Sequence, residues 1–559
     1  MPSIREAMCL ALFSALLGLS LVLGYHVVSE DGDFYAGLMS SNYLSAYSWM
    51  DLGAFFCAVI FLFATLSALF QEIKRRCRSG LVNWSPEKLE FPKVPIRYVF
   101  AATAILFLLW LPYLLLYWPG FIFGDSLDSL RQALGVEAPS NHHPYVYTLF
   151  VQGCLSIAQA MGLGNTAGCV LYCIAQMCFM GFCLGYMVIW VSRRCSVGGG
   201  WTIVLLSLFG LTPYVATYSI AMWKDPIFSA SVVALAPLLM DFALSRGRVV
   251  RERKTWLPSF LFLVLVMTFA RNNGAYIVVA MLGVFLAVAL FFRKRHRSWD
   301  SSGLGGVSAV LLGVLALHLV VTGPVYDAVG VEPSPKVEGY GIPLNQMARV
   351  AALDGDMTDS DREYLDALLP LELYETTYRP CCTDMLKWDE EFNEEPLEEG
   401  FFSHWASMLI RNPVLYFESW ELQTFGFWAV NVPEVNSYAS NISGGVPRNF
   451  YSQDQLTSLG INFDNKLGSD LFYRIFPWDE WSIPVSWVFW ALLYIALCLI
   501  LLGRSSWLLA LLPSFGLMAT LVVASPLWYW PRYGAAVQFL IPFPRVANRA
   551  GRGNLPAPA

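Results

Sequence analysis

Residues 118–147 read WPGFIFGDSLDSLRQALGVEAPSNHHPYVY, a polar interruption between long apolar runs. It carries two carboxylates, Asp125 and Asp128, and two adjacent histidines, His142 and His143. The chain around it is 56% hydrophobic and only 14% charged. Ionisable groups are expensive near lipid, so a cluster of them beside a membrane span marks a candidate functional site.

Outward from this stretch, apolar runs recur near 7–28, 51–71, 97–118, 168–192, 200–220, 226–245, 256–270, 275–292, 303–323, 484–503, 506–524 and 533–545. Mean hydropathy is +0.51 over 559 residues. Runs near or above ~18 apolar residues read as spanning helices, so the expected fold is an all-α polytopic membrane protein with about twelve spans. The first run follows Arg5 much as a secretory signal follows its basic region, but no A-x-A site follows it. It is therefore read as a span.

Short cytoplasmic loops are enriched in Lys and Arg. The basic clusters are Lys74, Arg75, Arg76 and Arg78; Arg193 and Arg194; Arg246, Arg248, Arg251, Arg253 and Lys254; Arg293, Lys294, Arg295 and Arg297; and Arg545, Arg549 and Arg552. All fall on one side if both termini are cytoplasmic. The run 144–161, with Gln152 and Gln159, would break this pattern as a span, so it is read as a helix lying in the outer interface.

Four regions follow. Residues 1–96 form a transmembrane hairpin with an acidic outer loop (Glu30, Asp31, Asp33) and a basic inner one. Residues 97–323 hold most of the spans and the outer loop 119–167. Residues 324–483 lose the long apolar runs and carry 27 acidic against 9 basic residues, the mark of a mainly helical extracytoplasmic domain. Residues 484–559 return to the membrane, with the aromatic belt SPLWYWPRY at the outer interface. Within the acidic segment, Ser360-Asp-Arg-Glu363 reads as a capping box, GYGIPLNQMARVAAL as an amphipathic helix, and FFSHWASMLIRN before Pro413 as a helix that stops and restarts. Asn441-Ile-Ser443 matches a glycosylation sequon. The twelve cysteines lie mostly in apolar runs, without metal-type spacing; Cys381 and Cys382 are adjacent.

Each candidate residue has two readings. Asp125 either caps the helix SLDSLRQAL or serves as a general base toward an acceptor hydroxyl. Asp128, one turn on, pairs most simply with Arg131. His142 and His143 lie in an extended segment and point in opposite directions; His142 and Asp125 are the candidate ligands for a divalent cation, should one be used. In Trp223-Lys224-Asp225-Pro226, Asp225 reads as a helix cap with proline at the first helical position. Lys224, Arg271 of Arg271-Asn272-Asn273-Gly274, and Arg532 before Tyr533 either snorkel or anchor at the interface or, since all face outward in this topology, together hold an anionic phosphate.

At these residues the chain resembles the GT-C superfamily of polytopic glycosyltransferases, such as lipid A aminoarabinose transferase and the protein O-mannosyltransferases. The resemblance rests on Gly124-Asp125 in the first large outer loop, His143-Pro144-Tyr145 opening the interfacial helix, and Asp225 in TYSIAMWKDP at the start of a later span. It covers about 97–323. Asp125 is followed by Ser126 where family members often carry a second carboxylate. The acidic domain with the Trp-Lys-Asp-Pro and Arg-Asn-Asn-Gly elements is also similar to a group of bacterial membrane proteins.

The resemblance implies transfer of a sugar from a polyprenyl-phosphate donor to a cell-envelope glycan, lipid or protein, with inversion in a single displacement. Asp125 and Asp225 would be catalytic, and His143, Lys224, Arg271, Arg532, Asp128 and Tyr145 would bind substrate. The site would lie on the outer face of a multi-pass cell-membrane protein, with membrane lipid around it and no nucleic-acid partner. The competing class is a transporter or flippase of a lipid-linked or anionic substrate, which should carry charges near the bilayer midplane. Asp241 is the residue that fits that class.

Overall fold

The computed structural model describes residues 2–29, 47–78, 94–194, 199–294, 299–380, 382–430, 453–476, 483–525 and 531–540. Among them the chain is all-helical, with only isolated bridges between extended segments. The acidic loop at Glu30, Asp31 and Asp33, Arg295 and Arg297, Cys381, the sequon at 441–443, most of SPLWYWPRY and the basic cluster from Arg545 lie outside the described residues.

The longer helices in chain order are α1 (Ile4–Ser29), α2 (Trp49–Arg78), α3 (Ile96–Leu116), α4 (Gly124–Ala133), α5 (Tyr145–Ala160), α6 (Asn165–Arg194), α7 (Gly199–Leu211), α8 (Pro213–Ile220) and α9 (Lys224–Ser245). They continue as α10 (Trp256–Ala270), α11 (Gly274–Lys294), α12 (Ser301–Val320), α13 (Gly341–Ala352), α14 (Asp359–Leu368), α15 (Phe401–Arg411), α16 (Pro413–Trp428), α17 (Val485–Leu501), α18 (Leu512–Ala524) and α19 (Pro531–Gln538).

Among the described residues eight stretches are long and apolar enough to cross a membrane: Ile4–Tyr25, Trp49–Arg75, Ile96–Leu116, Asn165–Arg194, Lys224–Ser245, Gly274–Phe291, Ser301–Val329 and Ser505–Ala524. The protein is therefore a multi-pass helical membrane protein. The run 200–220 is not one straight helix. It breaks at Thr212 into α7 and α8, bent by 58°, because Pro213 cannot donate a backbone hydrogen bond back into α7. The runs 256–270 and 484–503 form the shorter apolar helices α10 and α17. The run 533–545 is described only as far as α19 and the two residues after it.

Helix α9 is the axis of the assembly. Every residue from Phe228 to Ser245 is buried, which is how a helix apolar all round must be used. Helices α6 and α10, the 3-10 segment Ser505–Leu511 and α19 surround it. Close approach elsewhere is set by glycine: a Cβ on Gly168 of α6 would stand 2.8 Å from the Leu155 Cα of α5, so only glycine lets the two helices meet there. The α1–α2 hairpin lies at the edge, tied by Lys74 to Glu6 at 2.5 Å and by the Tyr494 hydroxyl, which donates to the Leu66 carbonyl. None of the apolar α2 window is buried, as expected of a helix facing lipid.

The acidic segment has its own core, built from Val337, Leu344, Met347, Leu365, Leu368, Phe401 and Met408 among others, and ending at Tyr416. It is not self-contained across 324–483. Helix α16 starts in this core and then enters the main core with Leu422, Phe425 and Phe427, and Leu456, Leu459 and Ile461 join the main core as well. The capping box lies two residues earlier than the sequence suggested. Thr358 caps α14, its hydroxyl accepting from the Asp361 N–H while the Asp361 carboxylate accepts from the Thr358 N–H. The stop and restart at Asn412-Pro413 is present between α15 and α16.

Candidate functional site

Two loops meet at the end of the bundle that carries the acidic domain. Phe121 N–H donates to the Ile220 carbonyl at 3.1 Å, and Met222 N–H donates to the Phe121 carbonyl at 2.9 Å, forming a parallel bridge between Phe121 and Ala221. The Ser126 hydroxyl donates to the Met222 carbonyl at 2.6 Å, and the Phe123 and Trp223 rings stack at 4.3 Å. This pairing of FIF with IAM sets Gly124-Asp125 beside Trp223-Lys224-Asp225, about a hundred residues apart in sequence.

Neither aspartate is a helix cap, contrary to the punctuation reading. Phe123 and Trp223 occupy the N-cap positions of α4 and α9, which leaves each aspartate inside the first turn and its carboxylate available to other side chains. There a carboxylate is also favoured by the positive end of the helix dipole. Lys224 Nζ donates to Asp125 Oδ2 at 2.9 Å, and Arg532 Nη1 lies 3.2 Å from the same oxygen. Arg271 Nη1 donates to Asp225 Oδ1 at 2.6 Å, while Asp225 Oδ2 has no hydrogen bond and stands 3.9 Å from Arg532 Nη1. The three cations expected to be free for an anion are thus paired with the two aspartates. They still outnumber them by one.

The arrangement is stiff. Arg532 stacks over the Trp223 ring at 4.4 Å, and Arg271 over Tyr533 at 4.8 Å. Asp225 is sealed from solvent, whereas the Asp125 side chain keeps 27% of its surface open. Asp125 is the carboxylate a substrate can touch. Burial opposes its ionisation, but Arg532 and then Lys224 outweigh burial and hold the carboxyl well below the usual range. In this resting arrangement it is a counter-ion and a weak base.

The histidines do not point in opposite directions. Their ring centres are 4.4 Å apart, because the turn Ser140–His143 is not extended: His142 N–H donates to the Ser140 hydroxyl oxygen. His143 lies against Lys224, whose Nζ is 2.8 Å from Nδ1. An ammonium only donates, so Nδ1 accepts and the neutral ring carries its hydrogen on Nε2, 3.5 Å from Asp128 Oδ2. Asp128 therefore faces His143 rather than Arg131, which pairs with Glu137 at 2.8 Å. His142 stands 3.7 Å from Glu338 of the acidic domain, and burial pushes its pKa down to about 4. Tyr145 packs edge-on against Tyr326, with ring centres 5.9 Å apart.

Several positioning residues carried no signal in the sequence. The Tyr147 hydroxyl donates to the Met222 carbonyl, Tyr172 to the Trp223 carbonyl, and Gln176 Nε2 to the Ser219 and Ala221 carbonyls. They hold the backbone of the Lys224 loop from below. Asn272 Nδ2 donates to the Asn141 carbonyl, tying the Arg271 turn to the histidine turn. On the other side, Lys387 donates to Glu338 at 2.5 Å and stands 2.9 Å from Asp384, so the acidic domain closes against His142 with charges of its own. A buried lysine pair and backbone-holding tyrosines look in sequence like any interfacial residues.

A divalent cation does not fit the Asp125 cluster. The nearest charges to Asp125 are Lys224 and Arg532, and among the described residues no three His, Cys, Asp or Glu side chains converge on one point. Asp241 is not at the middle of its helix. It sits one turn from the far end of α9, where Arg194 donates to Oδ1 at 2.5 Å, Trp190 to Oδ1 at 3.1 Å and Arg253 to Oδ2 at 3.4 Å.

No curated protein and no solved structure matches the chain. One family model does match, over residues 138–550; it takes in His142, His143, Lys224, Asp225, Arg271 and Arg532, and begins just after the helix that carries Asp125. By that match the chain belongs to the family described as being of unknown function, DUF6020.

Proposed function

We propose that the protein is a GT-C-type membrane glycosyltransferase, moving a sugar from a polyprenyl-phosphate donor to a hydroxyl of a cell-envelope acceptor with inversion. The observation that carries this reading is the partly open Asp125 carboxylate sharing one oxygen between Lys224 and Arg532, in a cluster where three cations meet two carboxylates. The surplus charge suits one anionic phosphate. As the donor phosphate approaches, it competes with Asp125 for Lys224 and Arg532. Asp125 then loses the charges that suppress its basicity and becomes able to accept the acceptor's proton.

In the transfer step the acceptor oxygen forms the new bond to the anomeric carbon as the bond to the phosphate oxygen breaks. The hydroxyl proton passes to Asp125, and the polyprenyl phosphate leaves carrying the electron pair, held by Lys224, Arg271 and Arg532. Asp225 orders Arg271 and Arg532 and does not reach substrate, since it is sealed. His143, oriented between Lys224 and Asp128, fixes the ammonium. No step requires a metal ion.

The same reading has about twelve spans, cytoplasmic termini and an outward-facing site. A reporter active only outside the cytoplasm should then be active when fused at Gly400 and silent at Arg253; activity at Arg253 would put the site on the wrong face. The direct test is mass spectrometry of envelope glycans and lipid-linked sugars in a deletion strain. Loss of a sugar from an envelope acceptor, with accumulation of its lipid-linked donor, is expected. Unchanged glycans with a mislocalised lipid-linked precursor would favour a flippase instead.

A further inference from the structure

Helix α16, at the seam between the acidic domain and the membrane helices, buries Glu418, Ser419, Glu421, Gln423 and Thr424. The seam itself is well made: Trp420 Nε1 donates to the Val522 carbonyl at the end of α18, and Gln423 Nε2 donates to the Ser525 carbonyl and to the Thr383 hydroxyl oxygen. Arg349 of α13 donates to Glu418 Oε2 from Nη2 at 2.7 Å and from Nε at 3.2 Å. Glu421, one turn after Glu418, breaks this pattern. It has no solvent exposure, and neither of its carboxylate oxygens has a hydrogen-bond partner.

One other buried oxygen near this level of the seam lacks a partner, Asn345 Oδ1. Helices α13 and α16 run antiparallel, with Gly355 against Asn412 and Arg349 against Glu418, a register that sets Glu421 level with Asn345 and Gln346. Asn345 Nδ2 donates to the Pro380 carbonyl, which orients the amide and leaves its oxygen over. The unsatisfied atoms are therefore all oxygens. With Glu418, Glu421 and Arg349 ionised, the seam is left with one uncompensated negative charge, and a bare carboxylate is not sustained in a buried place.

We propose that Glu421 anchors a buried site for a single positive charge, a sodium ion or a proton, which completes the junction between the acidic domain and the membrane helices. An all-oxygen set with one net negative charge is what a hard monocation or a proton neutralises. The proposal is independent of the glycosyltransferase reading. Burial, reinforced by Glu418 and opposed by Arg349, pushes the Glu421 carboxyl up to about 8.

The pH dependence then has a definite sign. An unfolded glutamate titrates near ~4.3. If a proton is the occupant, the folded state holds it from there up to about 8, so the stabilisation is complete below ~4.3, falls as pH rises to about 8, and is flat beyond.

The test is thermal unfolding of the full chain in detergent, from about pH 5 to about pH 9, in sodium chloride or N-methylglucamine chloride at equal ionic strength, for the wild type, Glu421→Gln and Glu421→Met. With sodium as occupant, sodium raises the wild-type Tm saturably at the alkaline end and leaves both variants unmoved. With a proton as occupant, the wild-type Tm falls relative to both variants between about pH 5 and about 8, with no sodium effect. Variants that follow the wild type in both salts and at every pH overturn the site. If neither variant can be purified, the infrared band of a protonated carboxyl in the wild type, lost on raising the pH or adding sodium, serves in their place; its absence, with a sodium-independent Tm, overturns the proposal.

Discussion

Helix α9 carries a buried aspartate near each end, and both are bound by arginine. At the far end Asp241 has both oxygens engaged, by Arg194 and Trp190 on one and by Arg253 on the other, and it is sealed from solvent. At the acidic-domain end Asp225 keeps one oxygen without a hydrogen bond, and its neighbour Asp125 is partly open. The chemistry is the same at the two ends; the saturation differs. A saturated cluster locks α6, α9 and the turn before α10 together, whereas an unsaturated one beside an opening can exchange partners with an incoming anion.

The sharpest way to break this comparison is Asp125→Asn. With Phe123 as the cap, the substitution costs no capping, so a folded variant that still binds donor reports on the chemistry. Loss of the general base should lower transfer ~10²–10⁴-fold, read as restoration of the envelope product in the deletion strain or as turnover in reconstituted membranes. Asp128→Asn is the control; its partner is His143 at the edge of the cluster and 45% of its side chain is exposed, so a loss of no more than ~1 kcal/mol is expected. Full activity in Asp125→Asn would remove the catalytic assignment.

Asp241→Ala should act in the other way. It strands Arg194 in the bundle, and breaking a buried pair by removing one partner costs ~3–5 kcal/mol, to be seen as lower yield and Tm. Any protein that remains folded should transfer sugar normally. A catalytic defect without a stability defect would mean that the far end is a site as well.

The smallest effect separates the two roles within one cluster. Lys224→Gln removes a cation that pairs with the partly open aspartate, and should weaken donor binding by ~1.5–3 kcal/mol, the range for hydrogen bonds to charged groups, while the fold persists. Arg271→Gln strands sealed Asp225, so it should lose stability in addition to donor affinity. Equal stability losses in both variants would show that Lys224 is as structural as Arg271.

Much of the fold could be read from the sequence because each signal is local. Apolar runs of spanning length, Pro413 as a helix start, and the change of composition at 324 depend on neighbours in the chain, and the structure has helices there, although the run 200–220 is broken at Pro213 rather than straight. The same is true of the residue types in the site: Asp125, Lys224, Asp225, Arg271 and Arg532 stand out because charge near lipid is costly.

What each of these groups faces was decided by tertiary structure. Asp125 and Asp225 look like helix caps in sequence, since a cap is defined by one turn of chain. Only the pairing of Phe121 with Ala221 brings Lys224 to one aspartate and only the packing of α19 on α9 brings Arg532 between both. Asp241 looked like a midplane charge until Arg194 at the end of α6 and Arg253 in the turn before α10 closed on it. Charge partners and orphaned carboxylates such as Glu421 are set by contacts between distant segments, and local pattern holds no record of those distances.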